Sequence, residues 1–467
     1  MSAIFGVVGK EECTKDLYYG TDYQSPLGAK FGGLAILDGE GRVRQAIHSI
    51  KKNSFRAQLA DFYGRFRGRR GIGVISDYEP QPLVIGSHLG DYAIVHVGAV
   101  KNIERLVEDA KKGGRHFSEM SNGKINPTEL IAALINQGRT FCEGIEIMQK
   151  SIEGSSSVAL LCNDGVIVAR DKYGRTPVVI GKKKGATAVV SESCAFPNLG
   201  FEISRFLGSG EIGMINEEGY KQLRKPRAEM KLCTFLHVYY SNPASEVEGI
   251  NVEIAIYNCG AMHAERDMAE GIDVDFVAGI PDSGTPHAIG YVNRSGKPYK
   301  RPYIKFTQTW QRSFMPQEQE TRDLVAEMKL IPIPKLIKGN KILFCEDSIV
   351  RGTQLKEKIA ELFRLGAEEV HTRPACPPLT SLCRYLNFSR SRDEFDLAAR
   401  RAIRRIENGS ENVDIRPYLD EGSEKYRQMV ELIRTDLGLT SLRYQTREDM
   451  FKAIGLPAEK LCLGCWI

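Results

Sequence analysis

Hydrophobic positions divide the chain into two halves with different periodicities. In the first half, short apolar runs such as Val158–Cys162, Val166–Ala169 and Ala188–Val190 are separated by Gly-containing turn segments. Runs of this length between turn residues are typical of β-strands in antiparallel sheets. Pro127–Asn136 has a proline in its first turn and an apolar stripe, so it predicts one helix. We therefore expect stacked antiparallel sheets with a flanking helix layer.

The second half alternates predicted strands with predicted helices. The strands are Phe276–Ile280, Lys341–Cys345 and Glu369–Pro374, and the helices between them are Pro286–Asn293 and Gln354–Leu365. Such alternation is typical of βαβ units, in which neighbouring strands are parallel. This half is therefore predicted to be an α/β domain with a central parallel sheet.

Length and composition set the limits of both predictions. At 467 residues the chain exceeds one ordinary hydrophobic core, and the basic stretch at 222–231 lies where the pattern changes. We place the two domains at residues 1–225 and 226–467. No apolar run reaches the ~18 residues that cross a bilayer, and the eleven cysteines are scattered without a secretion signal. These features predict a cytoplasmic protein with reduced thiols and no membrane partner.

Charge adds little that is specific. The formal net charge of +5 is mild for this length and suits a phosphate-bearing substrate. Two arginine-rich segments, RFRGRR at 65–70 and ARRAIRR at 399–405, raise the question of nucleic-acid binding. We interpret them as solvated loop and helix faces, and we predict no nucleic-acid partner.

The strongest chemical signal is the segment KILFCEDSIVRGTQLKEKIAELFRLGA at 341–367. A buried strand ends in two adjacent carboxylates, Glu346 and Asp347, which suit ribose hydroxyls and a hard cation. The loop that follows leads into an amphipathic helix, and its amides can bind a phosphate. That loop consists of Ser348, Ile349, Val350, Arg351, Gly352 and Thr353. The alternative is an ordinary strand–turn–helix with a solvated acidic pair. The segment as a whole argues against it, because each part lies where a phosphate-binding loop between a strand and a helix requires it.

A second loop follows another apolar strand. Asp282, Ser283 and Gly284 place small residues and an oxygen ligand at the strand end, just before a helix. Alone, this PDSG segment fits a plain turn equally well. One loop for a 5′-phosphate and one for a magnesium pyrophosphate are the minimum for binding phosphoribosyl pyrophosphate (PRPP). The two loops together predict such a site.

These segments carry a family resemblance. EDSIVRGT resembles the PRPP motif of type I phosphoribosyltransferases. With PDSG, QRSFMPQEQETR (311–322), AIGLPAEKLCLGC (453–465), the N-terminal GVVG and SESCA (191–195), the chain resembles the glutamine PRPP amidotransferase family of purine biosynthesis. That resemblance implies an N-terminal-nucleophile (Ntn) αββα glutaminase-like domain followed by a type I phosphoribosyltransferase domain. It also implies a glycosyltransferase that acts as a homo-oligomer.

The resemblance assigns roles to the predicted site residues. Glu346 and Asp347 would hold the ribose hydroxyls and, with Ser283, Mg²⁺. The loop 348–353 would hold the 5′-phosphate, and the loop 282–284 the pyrophosphate. Lys305 and Arg312 belong to a segment at 303–315 that takes the place of the family's flexible closing loop. They would contact the pyrophosphate and assist catalysis.

The glutaminase residues of the family are missing. Ser2 follows Met1 where the family has its N-terminal cysteine, and Pro26–Leu27–Gly28 replaces HRG. Ser76 replaces the arginine of GHTRYS, His96–Val97–Gly98–Ala99 replaces HNGN, and Pro127 replaces an aspartate. Loss of one oxyanion donor alone lowers a rate by ~10²–10³. We therefore predict that glutaminase activity is lost and that this half is a retained scaffold.

Four cysteines suggest a bound cofactor. Cys462 and Cys465 form a CxxC pair near the C-terminus, which is a good two-ligand clip. The resemblance adds Cys233 and Cys383 and implies a structural [4Fe–4S] cluster, with zinc as the alternative. The other cysteines are interpreted as small buried hydrophobes.

Three functions remain open from the sequence. The first is phosphoribosyl transfer from PRPP to ammonia or another small acceptor, with ammonia supplied from solution or by a separate protein. The second is a non-catalytic PRPP- or nucleotide-binding regulatory relative of an active amidotransferase. The third is an amide hydrolase that uses Ser2 as its nucleophile once Met1 is removed.

Overall fold

The computed structural model of the protein describes residues 2–25, 30–121, 123–306, 330–386, 393–410 and 413–466. Its first half contains a seven-stranded and a six-stranded antiparallel sheet. The strands are β1 (Ala3–Gly9), β2 (Phe31–Leu37), β3 (Val43–Ser49), β4 (Arg70–Ser76), β5 (Leu83–Ile85), β6 (Tyr92–Val100), β7 (Met120–Ser121), β8 (Lys124–Ile125), β9 (Gly154–Cys162), β10 (Gly165–Ala169), β11 (Val179–Lys183), β12 (Ala186–Val190), β13 (Glu202–Phe206), β14 (Ile212–Asn216) and β15 (Gly219–Arg224). The order is β13–β11–β12–β1–β4–β2–β3 in one sheet and β15–β14–β10–β9–β6–β5 in the other.

Helices cover the outer faces of both sheets. Along β1, Phe5 and Val7 pack towards the helices, whereas Ile4 and Val8 pack between the two sheets. This alternation is what a strand buried on both faces requires. The helices of this half are α1 (Thr14–Asp22), α2 (Phe55–Arg65), α3 (Ile103–Lys112), α4 (Pro127–Ile135), α5 (Phe141–Ser151) and α6 (Phe196–Leu199). The resulting layers run helix, sheet, sheet, helix.

The prediction of one helix in this half was therefore wrong. Only α4 was predicted, and it ends one residue before the predicted Asn136. Helices α1 and α5 each contain a glycine, which weakens a helical pattern in the sequence. At Gly144 of α5 the glycine is required, because a Cβ there would lie 1.9 Å from the carbonyl oxygen of Ile135 in α4. Close helix packing, which the local sequence does not show, stabilises these helices.

The second half is built around a parallel sheet of order β19–β22–β23–β24. Its strands are β16 (Leu232–Cys233), β17 (Glu246–Val247), β18 (Ile250–Asn251), β19 (Phe276–Gly279), β20 (Tyr303–Lys305), β21 (Leu330–Pro332), β22 (Lys341–Glu346), β23 (Glu369–Pro374), β24 (Ser441–Leu442) and β25 (Leu461–Cys462). Its helices are α7 (Val252–Ala269), α8 (Gly284–Ser295), α9 (Pro334–Ile337), α10 (Thr353–Arg364), α11 (Ala398–Ile406), α12 (Glu424–Leu437) and α13 (Arg447–Ile454).

Both faces of this sheet are buried. On β22, Ile342 and Phe344 belong to the core beneath α10 and α12, while Leu343 and Cys345 face α7 and α8. The predicted strand–helix alternation of this half is confirmed, with element ends displaced by one or two residues. Among the described residues, no helix is long and apolar enough to cross a membrane.

Candidate functional site

The two predicted phosphate loops leave the same edge of the parallel sheet. Loop A (Pro281–Gly284) follows β19 and loop B (Asp347–Gly352) follows β22, and these strands pair in parallel with Gly279 opposite Cys345. The Ile280 amide donates to the Cys345 carbonyl oxygen over 3.0 Å. At Gly284 a Cβ would lie 2.2 Å from that same oxygen, so only glycine allows this approach. The structure therefore brings the two loops into direct contact.

Asp347 is the buried carboxylate at this contact. The residue is 7% exposed and accepts a hydrogen bond from the hydroxyl of Ser348 at 2.6 Å, and the nearby hydroxyl of Ser283 in loop A also stabilises its charged form. Burial raises the pKa of Asp347 above its ordinary value, although these hydroxyls oppose the shift. Glu346 is half-buried beside it, and its Oε1 accepts from the Asp347 amide at 3.3 Å. The Asp347 carboxylate is thus held in place at the start of loop B.

Loop B presents its main chain rather than its side chains. Ile349 is buried in the core, and the Val350 carbonyl accepts from the Ala398 amide at 2.8 Å. The amides of Ser348, Ile349 and Val350 find no acceptor within the described ranges. Gly352 has φ of +75°, a left-handed conformation that ends the loop at the first turn of α10. Amides and a helix N-terminus together can bind an anion.

Loop A uses part of its main chain internally. The Gly284 amide donates to the Ile280 carbonyl at 2.9 Å, and the Thr285 amide donates to the Asp282 carbonyl at 3.1 Å. The side chain of Asp282 is 69% exposed and forms an ion pair with Lys305 of β20. Lys305 therefore lies beside loop A, and its contact with the pyrophosphate stays a prediction. Within loop A, Asp282 and Ser283 keep polar groups that a ligand could contact.

Two predicted residues contribute differently or cannot be placed. The Arg351 side chain forms an ion pair with Asp396 at 3.0 Å. It could contact a ligand through its main chain, or through its side chain only after leaving Asp396. Arg312 lies outside the described residues. The predicted roles of Thr353, Gly352 and the other members of the set stay predictions, because the geometry shows only that they are adjacent.

A second cluster forms where the C-terminal tail meets β16. Cys233 and Cys462 are paired neighbours on the parallel strands β16 and β25, and Cys383 and Cys465 line the same pocket. Burial, and secondly the neighbouring thiols, raise the pKa of Cys233. In the described part of the chain, no three potential ligands converge closely enough to hold a single metal ion. The structure thus brings the four predicted cysteines to one pocket without the spacing of a mononuclear site.

The tail that carries this pocket is well anchored. Trp466 stacks on Phe235 with ring centroids 5.6 Å apart, and its indole N–H donates to the Pro377 carbonyl at 3.1 Å. The Thr380 amide donates to the Cys465 carbonyl at 3.1 Å. The remaining cysteines, interpreted above as buried hydrophobes, are mostly buried as expected, and Cys142 alone of that set is half-buried. That set is Cys13, Cys142, Cys162, Cys194, Cys259, Cys345 and Cys376.

The first half contains a buried polar network close in sequence to three positions where glutaminase residues are missing, Ser76, Val97 and Pro127. His96 Nε2 lies 3.3 Å from Glu79 Oε1, and Gln81 donates to the same oxygen at 3.0 Å. The other ring nitrogen of His96 lies 3.0 Å from the hydroxyl of Thr128. Burial raises the pKa of Glu79 to about 8 and lowers that of His96 to about 4. These side chains are therefore hydrogen-bonded to one another. At neutral pH the Glu79 carboxyl is protonated and the His96 ring is uncharged.

Ser2 lies close to this region but is itself occupied. It is 5% exposed, and its hydroxyl oxygen accepts from the Asp77 amide at 3.2 Å. Ser76 accepts from the Glu79 amide at 3.3 Å. Pro26, Leu27 and Gly28 lie outside the described residues. Sequence reasoning missed the Glu79–His96 pair, although the position of His96 within the apolar run YAIVHVGAV was a usable signal that this histidine is buried.

Comparisons with known proteins agree with this architecture. A family model described as a glutamine amidotransferase domain matches residues 69–198. The amidophosphoribosyltransferase of Synechocystis sp. is 31% identical over 432 residues, which cover 90% of this chain and 85% of that protein. The amidophosphoribosyltransferase of Bacillus subtilis is 28% identical over 480 residues, covering 99% of this chain and 92% of that protein.

A solved structure gives the same result for the fold. Glutamine PRPP amidotransferase from B. subtilis, complexed with ADP and GMP, superimposes with a TM-score of 0.82 at 27% identity and covers 99% of this chain and 96% of that one. The chain thus has an Ntn glutaminase fold followed by a phosphoribosyltransferase fold, as predicted. On the strength of the identity and coverage above, the chain belongs to the amidophosphoribosyltransferase family of glycosyltransferases.

Proposed function

We propose that this protein transfers the phosphoribosyl group of PRPP to ammonia and has lost the use of glutamine. The contact between loop A and loop B carries the proposal. The Ser283 hydroxyl of one loop lies beside the Asp347 carboxylate of the other, and the two strands that lead into the loops pair in parallel, so both loops face one small region at the strand ends. A buried carboxylate, hydroxyl donors and unpaired main-chain amides are the groups that a sugar diphosphate with its metal ion needs.

The residues suit a magnesium ion that arrives with its substrate. Asp347, Glu346 and Ser283 offer oxygen atoms, which Mg²⁺ prefers, and Mg²⁺ commonly binds one or two carboxylates together with substrate phosphates. When bound, the ion neutralises charge on the departing pyrophosphate. A carboxylate whose pKa burial has raised gains most from such a cation.

The chain's own groups would each perform a defined task. The amides of loop B, at the N-terminus of α10, bind the 5′-phosphate and fix the sugar. Lys305, which already contacts Asp282 in loop A, supplies a positive charge next to the leaving pyrophosphate. Glu346 and Asp347 orient the ribose hydroxyls. Arg312 remains the proposed partner of Lys305.

Ammonia is the proposed acceptor because the amide-cleaving groups are absent. The position of the N-terminal thiol is a hydroxyl that already accepts a hydrogen bond from the Asp77 amide, and the asparagines of the HNGN motif are replaced by Val97 and Ala99, next to the buried His96 that pairs with Glu79. A histidine whose pKa lies near 4 stays neutral at pH 7, and its ring is engaged on both sides. Ammonia would then come from solution or from a separate protein. A homo-oligomer and a cytoplasmic location stay predictions.

The four cysteines are proposed to hold a [4Fe–4S] cluster. The donor set contains four thiols in one largely buried pocket, a composition that fits a cluster or a zinc ion. In a cluster each thiolate binds a different iron, so the sulfur atoms lie further apart than around one zinc ion. The resemblance to the family, in which some members bind such a cluster through cysteines that match these four, favours the cluster over zinc. Its role would be to hold the C-terminal tail against the transferase core.

The test is an assay of pyrophosphate release from PRPP with ammonium chloride or glutamine as the nitrogen source. We expect turnover with ammonium, and none with glutamine at equal nitrogen concentration. Asp347→Asn should abolish turnover, whereas Ser2→Ala should leave the ammonium rate unchanged. Turnover with glutamine that Ser2→Ala removes would show that amide cleavage has been retained. Binding of PRPP without turnover would favour the regulatory role instead.

A further inference from the structure

Arg175 is a cation from the first half of the chain that lines the cysteine pocket. Its side chain is 5% exposed and contributes to the pocket wall beside Cys233, Cys383, Cys462 and Cys465. It lies in the turn segment between β10 and β11, far in sequence from all four cysteines. Buried arginines are rare unless paired with an opposite charge. Its presence at a thiol-lined pocket therefore needs a physical reason.

The contacts of Arg175 leave one donor without an acceptor. Its Cζ lies 3.7 Å from the ring centre of Tyr385 and 4.7 Å from that of Tyr173. One terminal nitrogen lies 3.4 Å from the Gly154 carbonyl and 3.9 Å from Asp171. The buried Nε–H has no hydrogen-bond partner in the described parts of the chain. Leaving a buried N–H of a charged group without a hydrogen bond destabilises the fold. The unpaired Nε–H therefore indicates that a bound group, rather than a side chain, provides its acceptor.

If the pocket holds a metal group, the sulfur atoms of its four cysteine ligands would supply that acceptor. Four thiolates carry four negative charges, more than a zinc ion or an oxidised cluster neutralises, so the filled site is a buried anion. Hydrogen bonds to the sulfurs and nearby charges set the properties of such sites. A second cation, Lys101, also acts on Cys383, and it too belongs to the first half. Arg175 and Lys101 thus both come from the first half of the chain.

We propose that Arg175 pairs with the filled cysteine site, donating its Nε–H to it, and so couples the glutaminase-like domain to that site. This inference rests on the proposed cluster. The main chain supports it, because the Cys233 amide donates to the Arg175 carbonyl at 3.0 Å and the Lys231 amide donates to the Tyr173 carbonyl at 2.7 Å. The segment that carries the guanidinium is therefore bonded to a ligand residue. Arg175 acts as a positioning residue and has no part in phosphoribosyl chemistry.

The experiment first measures iron, sulfide and zinc in anaerobically purified wild-type protein, then repeats this with Arg175→Gln and Arg175→Lys. Arg205→Gln is the matched control, since Arg205 stacks on Tyr220 in the same way but away from the cysteines. Two quantities are followed in each protein: the reduction potential, by a spectroscopic redox titration, and the rate of metal loss to a chelator. If the wild-type site holds zinc, zinc release replaces the titration.

Loss of the positive charge should make the reduced cluster less favourable. We expect Arg175→Gln to lower the reduced-to-oxidised ratio at fixed potential about tenfold, equivalent to about 59 mV for one electron. It should also release metal several-fold faster. Arg175→Lys keeps the charge and should fall between wild type and Arg175→Gln, and Arg205→Gln should match wild type. Mere loosening of the pocket would admit water and shift the potential upwards, so the sign separates the two explanations.

The outcomes distinguish this inference from the proposed cluster. A wild-type protein without iron or zinc overturns both. A loaded wild type whose potential and metal-loss rate are unchanged in Arg175→Gln overturns the role of Arg175 alone and leaves the cluster in place. If Arg175→Gln does not fold, Arg175→Lys decides, because a wild-type metal-loss rate in that variant would show that the Nε–H contributes nothing.

Discussion

The contact of Gly284 with β22 makes a sharp prediction about the site. In Gly284→Ala the new Cβ would lie 2.2 Å from the Cys345 carbonyl oxygen, whereas ordinary contacts begin near 3.4 Å. The neighbouring atom is main chain of a central strand, so it cannot turn away, and loop A must move by about 1.2 Å. Loop A carries Ser283, whose hydroxyl lies beside Asp347, so this displacement separates the two halves of the proposed PRPP site.

The magnitude follows from that displacement. A shift of ~1 Å in a reacting site lowers the rate by ~10²-fold, and an extra methyl group in a packed region costs ~1–3 kcal/mol of stability. We therefore expect kcat/KM for PRPP with ammonium to fall by about two orders of magnitude, with a modest decrease in the free energy of unfolding. Pyrophosphate release and urea denaturation measure the two effects.

Gly64→Ala is the control for this substitution. Gly64 lies in helix α2, and a Cβ there would meet nothing within 4 Å. Alanine favours a helix over glycine by up to ~1 kcal/mol, so this variant should be slightly stabilised and fully active. The reasoning would be refuted if folded Gly284→Ala kept wild-type kcat/KM, because loop A would then tolerate displacement without loss of function.

Three further predictions concern buried charges. Asp347→Asn should weaken binding of magnesium PRPP by roughly 100-fold, about 2.7 kcal/mol, in a calorimetric titration; wild-type affinity would remove this carboxylate from the site. Because burial raises the pKa of Glu79 to about 8 from 4.5, the folded protein keeps a proton that the unfolded chain releases, and the free energy of unfolding should fall as pH rises through this range. Urea denaturation between pH 7 and 8 keeps the contribution of His96 small, because this window lies above its ordinary pKa of 6.5 in the unfolded chain. Glu79→Gln should flatten the slope, and an unchanged slope in that variant would contradict the assignment. Asp267→Asn removes the carboxylate shared by Arg373 and Arg443 and should cost ~3–5 kcal/mol by urea denaturation, whereas a loss below ~1 kcal/mol would show that the network relaxes.

The parts of the fold that depend on local periodicity were predictable. The strand Glu369–Pro374 matches its predicted limits. Strand β22, predicted to end at Cys345, extends one residue further to Glu346. Because the carboxyl ends of parallel strands share one edge of a sheet, the meeting of loop A with loop B followed from two predicted strands. The CxxC clip and its distant partners were found by resemblance, and the structure brings all four to one pocket.

The parts that depend on contacts between distant segments were not predictable. Helix α1 buries Leu17 and Tyr18, yet its segment reads as polar with a glycine, so its stability comes from the sheet beneath it. Arg175 carries no local sign that it lines the cysteine pocket, because its partners come from the other half of the chain. The approach of Ser283 to Asp347 likewise joins two loops that the sequence places far apart.

A calorimetric titration of the folded protein with PRPP, with and without magnesium, tests the central claim most directly. The account predicts one PRPP bound per chain in the presence of magnesium and a large loss of heat when the metal is removed. The same titration with Asp347→Asn should show little binding under either condition. Absence of magnesium-dependent binding to the folded wild-type protein would contradict the proposal that these two loops form a PRPP site.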